Sequence, residues 1–332
     1  MGKATMQEIA EQCGVSLKTV SRVINHSEAV SESTRQRVEQ AMESLGYRVN
    51  LLARGLKQSQ TNIVVVFLDR HQEEYLNAWR NQMLRALFQY TREIGLRLIV
   101  APSDSQGFQN DETDGFNLLA SGIADGAILM EYYAADSRLE YLQKNQLPYV
   151  ILGQTEDPGL HAVSLDHYQL GYQGGQYLAS RGCRRICLIP EAAEVLSANL
   201  CIWGFMEALE GQEAEGVISS PAKTPDDAYR QACQMLSARP PDCFFVPGDE
   251  RAAAVYRAIR EEGLEIPGQV GVLGFSDLPI GSVLCPPLTA FRQDFSCLAR
   301  AVAERLSAQQ KDEPIPGNVF YPSVLIERDS IK

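Results

Sequence analysis

The first sixty residues carry hydrophobic positions three and four apart, the spacing of short amphipathic helices. Thr5 and Glu8 form a capping box that begins a first helix, and Gly14 supplies the positive φ that ends this helix. Ser16 then begins a second helix. The inward positions predicted for it are Val20, Val23 and Ile24.

A third helix is predicted after the cap residue Ser31, with Gly46 as its stop and Val38, Met42 and Leu45 facing inward. Two helices joined by a short turn containing glycine make a helix-turn-helix, whose second helix can lie in the major groove of DNA. The alternative is three amphipathic helices with a solvated polar face.

The polar face of the second helix would present Leu17, Lys18 and Arg22 to base edges, and Arg22 can hold a guanine with two hydrogen bonds. Short polar side chains around it are suited to phosphate contacts, which position the module without reading sequence. Those assigned to DNA in this way are Thr5, Ser16, Ser21, Asn25, Ser31 and Thr34.

From Asn62 onward, apolar runs alternate with helical stretches. The runs form two series, at 63–68, 96–102, 126–130 and 149–153, and then at 161–165, 185–190, 243–247 and 270–275. Near-continuous apolar strands separated by helices predict parallel sheets covered on both faces. We therefore expect two doubly wound subdomains, with a ligand cleft beyond the carboxyl ends of their strands.

Charged residues are unevenly distributed between the N-terminal region and the rest of the chain. The net charge of the 332 residues is −12, yet residues 1–60 carry eight basic and six acidic side chains. A slightly basic module on an acidic body fits a protein that meets a polyanion locally. The eight cysteines contain no CxxC pair, and the N-terminus lacks a signal-peptide core. These features predict a cytoplasmic protein with reduced thiols, no metal site and no membrane span.

Three stretches of the N-terminal region resemble the lac-repressor family of bacterial regulators: "MQEIAEQCGVSLKTVSRVIN", "VSESTRQRVEQAMESLGY" and "NLLARGLK". The resemblance implies that the third stretch is a hinge helix whose leucine wedges into the minor groove of a palindromic operator. That leucine is Leu56, flanked by Ala53 and Lys57, with Asn50 at the start of the stretch. Val49 departs from the proline that the family usually places before Asn50.

The resemblance continues through "ADGAILM", "FVPGDERAAAVYRAIREEGLEIPGQVGVLGFSD" and "PPLTAFRQDF", which look like the family's periplasmic-binding-protein-like body. It implies a headpiece at 1–49, a hinge helix and linker at 50–60, and an effector-binding, dimerising body at 61–332. Within the body, we expect one subdomain at about 61–160 and 294–320 and another at about 161–290. The chain ends without the long C-terminal helix of tetrameric relatives, so a homodimer is expected.

The expected effector pocket departs from the family pattern. Sugar-binding members place polar side chains where this chain has Cys201, Gly248, Ser276 and Gly153. Three alternatives stay open, of which the first is a less polar ligand lined by Trp203, Tyr132 and Phe275. The second is a sugar held by other groups, and the third is no ligand. The groups assigned to the sugar alternative are Asp69, Arg70, Asn199, Asp249 and Gln293.

Each of these assignments has a structural alternative. Trp203 and Phe275 would then pack in the core, Asp69 and Arg70 would be surface charges, and Asp249 would cap the following helix.

The function predicted is a dimeric transcriptional repressor that binds a pseudo-palindromic operator in double-stranded DNA under the control of a small-molecule effector. A sugar or related metabolite is expected as the effector, acting either as inducer or as corepressor, and no cofactor is expected. Enzymatic motifs such as GxSxG, HExxH, GxGxxG and the P-loop are absent. The alternatives are a ligand-independent regulator, or a binding protein or enzyme with an accessory DNA-binding module.

Overall fold

The computed structural model describes residues 4–25, 27–48, 60–70, 77–130, 133, 135–191, 195–315 and 317–332. The chain divides into two units, Met1–Thr61 and Asn62–Lys332, and each has its own hydrophobic core. The predicted hinge helix falls almost entirely at 49–59, which lie outside the described residues. The same holds for five predicted site residues, Asn50, Ala53, Leu56, Lys57 and Tyr132.

The N-terminal unit contains three helices, α1 (Met6–Cys13), α2 (Leu17–Ile24) and α3 (Glu32–Ser44). Ile9, Val20 and Val38 are completely buried at their centre. The predicted inward position of Leu45 is wrong, because this residue is the C-cap of α3 and is 37% exposed. Ala41, one turn earlier, takes the buried position instead.

Capping side chains set the boundaries of these helices. The Thr5 hydroxyl accepts the Glu8 backbone N–H, and the Glu8 carboxylate accepts the Thr5 N–H at 2.7 Å, which confirms the predicted capping box. Gly14 ends α1 with φ of 62°, a left-handed conformation that favours glycine. Ser16 follows within two residues as the cap of α2, and this short turn makes the helix-turn-helix.

The second unit alternates strands and helices along its described residues. The strands are β1 (Ile63–Asp69), β2 (Arg97–Ser103), β3 (Gly126–Leu129), β4 (Tyr149–Leu152), β5 (Ala162–Leu165), β6 (Arg185–Leu188), β7 (Glu215–Ile218), β8 (Cys243–Pro247), β9 (Gly271–Ser276), β10 (Thr289–Arg292), β11 (Val319–Tyr321) and β12 (Val324–Ile326). The helices are α4 (Ala78–Glu93), α5 (Asn117–Ala120), α6 (Ser137–Lys144), α7 (His167–Ser180), α8 (Leu196–Leu209), α9 (Pro225–Ala238), α10 (Asp249–Glu261), α11 (Pro279–Val283) and α12 (Phe295–Gln310).

These strands form two six-stranded sheets, ordered β11-β5-β4-β3-β1-β2 and β12-β10-β9-β8-β6-β7. The pairings are parallel except for β10 with β12. Alternate residues of β1 enter the core on opposite faces of the first sheet, Val64 and Val66 on one and Val65 and Phe67 on the other. The predicted doubly wound architecture is therefore confirmed.

The subdomain predicted for one strand is wrong. Residues 161–165 begin the second apolar series in the sequence, but β5 pairs with β4 and β11 in the first sheet. Hydrophobicity alone cannot distinguish the last strand of one sheet from the first strand of the next, because both are buried and apolar.

The chain passes between the two sheets three times. It leaves the first sheet after β5, returns after β10 to form α12, and leaves again between β11 and β12. Helix α12 packs against α4 and β4, so it belongs to the first sheet although β10 belongs to the second. Two of these crossings are in contact, because the Asp166 N–H after β5 donates to the Tyr321 carbonyl oxygen of β11 at 2.9 Å. The crossings form the connection about which the two subdomains can hinge.

Helices α7 and α8 lie against each other at glycines. A Cβ on Gly171 would stand 1.9 Å from the Cys201 carbonyl oxygen, and one on Gly204 would stand 2.1 Å from the Tyr168 carbonyl oxygen. Only residues without a side chain permit this approach of two helix backbones.

The cysteines depart from the sequence prediction. Cys183 and Cys243 form a disulfide with their Cα atoms 6.2 Å apart, so the prediction of reduced thiols is wrong for this pair. Ile186 of β6 lies opposite Cys243 of β8, and strand pairing thus brings together cysteines that are 60 residues apart. The other six cysteines are free.

Candidate nucleic-acid interface and ligand cleft

Helix α2 presents a polar face to solvent. Its buried side carries Val20 and Val23, while Leu17, Lys18 and Arg22 project outward. Leu17 is 46% exposed, although it is a large apolar residue. An apolar side chain beside two cations is suited to contact with thymine methyl groups and guanine edges in a major groove.

Hydroxyl groups surround this face at helix starts. The Ser16 hydroxyl accepts the Thr19 backbone N–H at 3.1 Å, and the Ser31 hydroxyl accepts that of Thr34 at 3.4 Å. Hydroxyls that cap helices lie beside the positive ends of helix dipoles, where phosphate is favoured. Ser21 is half-buried, and its carbonyl accepts the Asn25 side-chain amide at 2.9 Å.

Thr5 is placed differently from these hydroxyls. Its hydroxyl lies 3.1 Å from a Glu8 carboxylate oxygen and donates to it. The structure therefore gives this predicted DNA contact an acidic neighbour within the capping box, a poor setting for phosphate.

The second unit contains a cleft between the carboxyl ends of its two sheets. Its cavity has a volume of about 240 Å³. Leu152 and Leu165 line it from the first sheet, and Leu188, Pro247 and Phe275 line it from the second. This is the position that open parallel sheets offer to ligands.

One hydrogen bond joins the two sides of the cleft, and a second lies at the edge of the first sheet. The Trp79 indole N–H, from α4, donates to Gln293 Oε1 at 2.7 Å, just beyond β10. His167 Nδ1, at the start of α7, lies 3.0 Å from Gln154 Oε1, which follows β4. Desolvation lowers the pKa of His167 to about 4, so the imidazole is neutral near pH 7.

Asp249 is a buried carboxylate on the second-sheet side of the cleft. Its Oδ2 accepts the backbone N–H groups of Ser276 at 2.8 Å and Leu278 at 3.0 Å. Its Oδ1 is buried without a partner among the described residues, and burial raises the pKa of the carboxyl group. The interpretation of Asp249 as a helix cap is wrong, because Gly248 occupies the N-cap of α10 without a side-chain cap bond.

The cleft contains four of the predicted effector residues, Cys201, Asp249, Ser276 and Gln293, and also Phe275. Burial raises the pKa of the Cys201 thiol to about 12, so it remains protonated and acts as a small apolar residue.

Other predicted effector residues lie elsewhere. Trp203 is 66% exposed on the outer face of α8, and Asn199 of the same helix is also outside the lining. Neither the core nor the pocket interpretation of Trp203 is therefore correct. The helix turns both side chains away from the cleft, while Cys201 faces it.

Asp69 and Arg70 are engaged outside the cleft. Asp69 is buried with its Oδ2 3.6 Å from Arg138 Nη2, and Arg138 also pairs with Asp136 at 2.6 Å. Arg70 pairs with Asp111, whose pKa is lowered to about 2 by hydrogen bonds from Thr113 and from Arg70. The surface interpretation fails for Asp69, which is 1% exposed.

Several lining residues were not identified from the sequence. Trp79, His167 and Arg251 all line the cleft. Arg251 is buried and donates to the carbonyl oxygens of Ala222, at 2.9 Å, and Pro247. Trp79 and His167 stand at the starts of helices that follow loops at the carboxyl edge of the first sheet. That position is the signal by which they are recognisable.

No described helix has the length and apolar character needed to cross a membrane. Among the same residues, no cluster of side chains has the composition of a metal site.

Comparison with known proteins gives two family matches. The pattern of bacterial regulatory proteins of the lacI family matches residues 5–50, and the periplasmic binding protein-like domain matches residues 176–331. The lactose operon repressor of Escherichia coli K12 is 26% identical over 332 residues, covering 99% of this chain and 91% of that protein.

Two solved structures extend the comparison. The lac repressor dimer bound to operator and the anti-inducer ONPF superposes with a TM-score of 0.86 at 27% identity, covering 99% of both chains. The transcriptional regulator CelR in complex with cellobiose gives a TM-score of 0.72 at 25% identity, covering 99% of this chain and 100% of that one.

A helix-turn-helix joined to a periplasmic-binding-protein-like body defines a class of DNA-binding transcriptional regulators, and the relatives are regulators rather than enzymes. The headpiece of this chain carries the DNA-binding domain of the lacI family of bacterial regulatory proteins, and the chain is similar to lac repressor along nearly its whole length.

Proposed function

We propose that the chain acts as a homodimeric repressor that binds a pseudo-palindromic operator and responds to a small-molecule effector, a sugar or a related metabolite. The observation that carries the proposal is that one chain has both a solvent-facing recognition helix and a cleft whose two sides are joined by the Trp79–Gln293 hydrogen bond. The similar repressor dimer bound to operator supports the dimeric state. The proposed location is the cytoplasm, on the nucleoid when operator is bound.

The proposed division of labour follows the chain. Residues 1–49 read DNA, 50–60 form the hinge helix and linker, and 61–332 form the body. The strand order supports a first subdomain that extends through β5 and includes α12 and β11, with the second subdomain made from β6 to β10 and β12.

Each headpiece would place α2 in the major groove of one half-site. Arg22 would read a guanine, while Leu17 and Lys18 would contact neighbouring base edges. Ser16, Ser21, Asn25, Ser31 and Thr34 would contact phosphates. Asn50 would begin the hinge, and Leu56, between Ala53 and Lys57, would wedge into the minor groove at the operator centre.

The effector would act through the bridge across the cleft. A ligand that favours one separation of the two sheets must compete with, or stabilise, the Trp79–Gln293 hydrogen bond. The subdomain angle would then set the spacing of the two hinges in the dimer. A coupling of about 1–3 kcal/mol between effector and operator, or about 5–150-fold in affinity, is the usual scale.

Selection of duplex DNA from a random pool by the full-length protein, without ligand, tests the proposal. We expect a palindrome with a flexible pyrimidine–purine step at its centre, which would make the effector an inducer. Enrichment of a single half-site would contradict the dimeric arrangement. If folded, dimeric protein enriched no sequence, the selection would be repeated with a metabolite extract. Enrichment there would identify a corepressor, and continued failure would reject the proposal.

A further inference from the structure

The cavity limits the size of the effector. Its volume of about 240 Å³ exceeds that of a benzene-binding cavity, about 150 Å³. It is smaller than the roughly 300–1,000 Å³ of sites for drug-sized ligands. With the two sides joined by the Trp79–Gln293 bond, the space fits one ring rather than two.

Most polar side chains of the cleft already have protein partners. Gln293 accepts from Trp79, Gln154 pairs with His167, and the Arg251 guanidinium donates to two backbone carbonyls. A polyhydroxylated ligand needs amide, carboxylate and guanidinium groups that are available to its hydroxyls. Breaking these internal bonds would offset the hydrogen bonds gained to such a ligand.

The remaining wall is mainly apolar. Its polar members include Asn77, Glu191 and Glu250, each of which is already bonded to a protein group. Met130 and Leu152 contribute to it from the first sheet, and Leu196, Phe275 and Leu298 contribute from the helices and the second sheet. Cys201, with its protonated thiol, continues this surface. A flat apolar ring face is the complement of such a wall, because burying apolar area is favourable whereas burying unpaired hydroxyl groups is costly.

The polar end of the cleft is formed by Ser276, at the end of β9. The neighbouring Asp249 is engaged inside the protein, because its Oδ2 accepts two backbone N–H groups and its Oδ1 is buried against Gly281. A hydroxyl or amine on the ligand would therefore form its hydrogen bond with the Ser276 hydroxyl.

Building on the proposed function, we propose that the effector is a single-ring compound with an apolar face and one hydroxyl or amine group, poor in further hydroxyls. Within sugars and related metabolites, this selects an aromatic or extensively deoxygenated ring over a hexose or a disaccharide.

Trp79 provides a direct reporter of binding. The chain has two tryptophans, and the second, Trp203, is 66% exposed outside the cleft. The variant Trp203→Phe therefore retains Trp79 as its single tryptophan, and its tryptophan fluorescence reports on the cleft. Benzyl alcohol, benzylamine and cyclohexanol are titrated to about 10 mM beside glucose, galactose and cellobiose, with calorimetry for stoichiometry. We expect saturable binding of at least one single-ring probe, at one site per chain, and no saturation by the saccharides.

A pair of variants on α8 locates the site. Leu196 lines the cleft, whereas Leu200, one turn later, lines a separate surface depression beside Phe320. Leu196→Ser should weaken benzyl alcohol binding about tenfold, and Leu200→Ser should leave it unchanged. Equal weakening in both variants would place the probe outside the cleft and overturn the proposal.

Operator binding, measured with and without each probe, separates this inference from the function beneath it. A probe-dependent change in operator affinity supports both. Saturation by a saccharide alone, with a change in operator affinity, overturns the single-ring class and leaves effector control intact. If the protein binds operator but neither class of compound gives a saturable change in Trp79 fluorescence, effector binding in this cleft is rejected as well.

Discussion

Gly171 lies where the backbones of α7 and α8 meet, and Gly171→Ala is expected to destabilise the body strongly. The added Cβ would stand 1.9 Å from the Cys201 carbonyl oxygen and 2.9 Å from the Phe205 nitrogen. Ordinary contact begins at 3.4 Å, so the helices must separate by about 1.5 Å at this point. Both obstructing atoms are backbone, so a side-chain rotation cannot relieve the clash.

Overpacking of a close-packed interior costs about 1–3 kcal/mol, and a backbone obstruction belongs at the upper end of that range. For a domain of this size, about 3 kcal/mol lowers Tm by roughly 6–12 °C. The cleft should also widen, because His167 and Leu170 of α7 and Cys201 of α8 line it. Benzyl alcohol binding should therefore weaken together with stability.

The assay is thermal unfolding followed by circular dichroism, with operator binding at low temperature as a check on the headpiece. Gly317→Ala is the matched control, because its added Cβ meets no described atom within 4 Å and its φ is not in the left-handed region. The Tm of Gly317→Ala should differ from that of the unsubstituted protein by no more than the shift that a change of about 0.5 kcal/mol produces. A Tm for Gly171→Ala equal to that of this control would refute the close-packing argument.

Three further predictions concern DNA binding and pH. Arg22→Ala should weaken operator binding by about 1–3 kcal/mol while changing binding to random DNA little. The control is Arg37→Ala, because Arg37 is an exposed arginine on α3. If Arg22→Ala weakened binding to operator and to random DNA equally, Arg22 would have no base-reading role. Leu56→Ala should reduce the operator bend measured by energy transfer between labelled duplex ends, and an unchanged bend would exclude the wedge. Because the pKa of His167 falls to about 4 on folding, the unfolded chain binds more protons below pH 6.5. Stability should therefore decrease as pH drops from 6.5 toward 4, and less so in His167→Gln, as urea unfolding at about pH 7 and about pH 5 would reveal.

The sequence predicted the elements well because their signals are local. Thr5 and Ser16 act on N–H groups within three residues, and apolar runs such as 63–68 reappear as buried strands. The sheet to which residues 161–165 belong is not a local property, because β5 joins the first sheet through its pairing with β4 and β11.

The cleft was harder to predict for the same reason. Cys201, Ser276 and Gln293 were identified through the resemblance, but Trp203 was misplaced because its direction depends on the rotation of α8 against α7. Trp79 meets Gln293 across 214 residues, a contact that no short-range pattern contains. The Cys183–Cys243 pairing likewise depends on strand register.

The late position of β11 and β12 has a consequence for the protein during its own synthesis. Both strands lie within residues 319–326, so neither sheet is complete until residue 326 has been made, whereas the headpiece core closes by Tyr47. At about 5–20 residues per second, ribosomes need roughly 15–55 s to make the intervening residues. During that time a nascent headpiece can contact only one half-site of DNA, because its body has not yet folded and dimerised. Tight operator binding therefore waits until both subunits have been translated beyond residue 326.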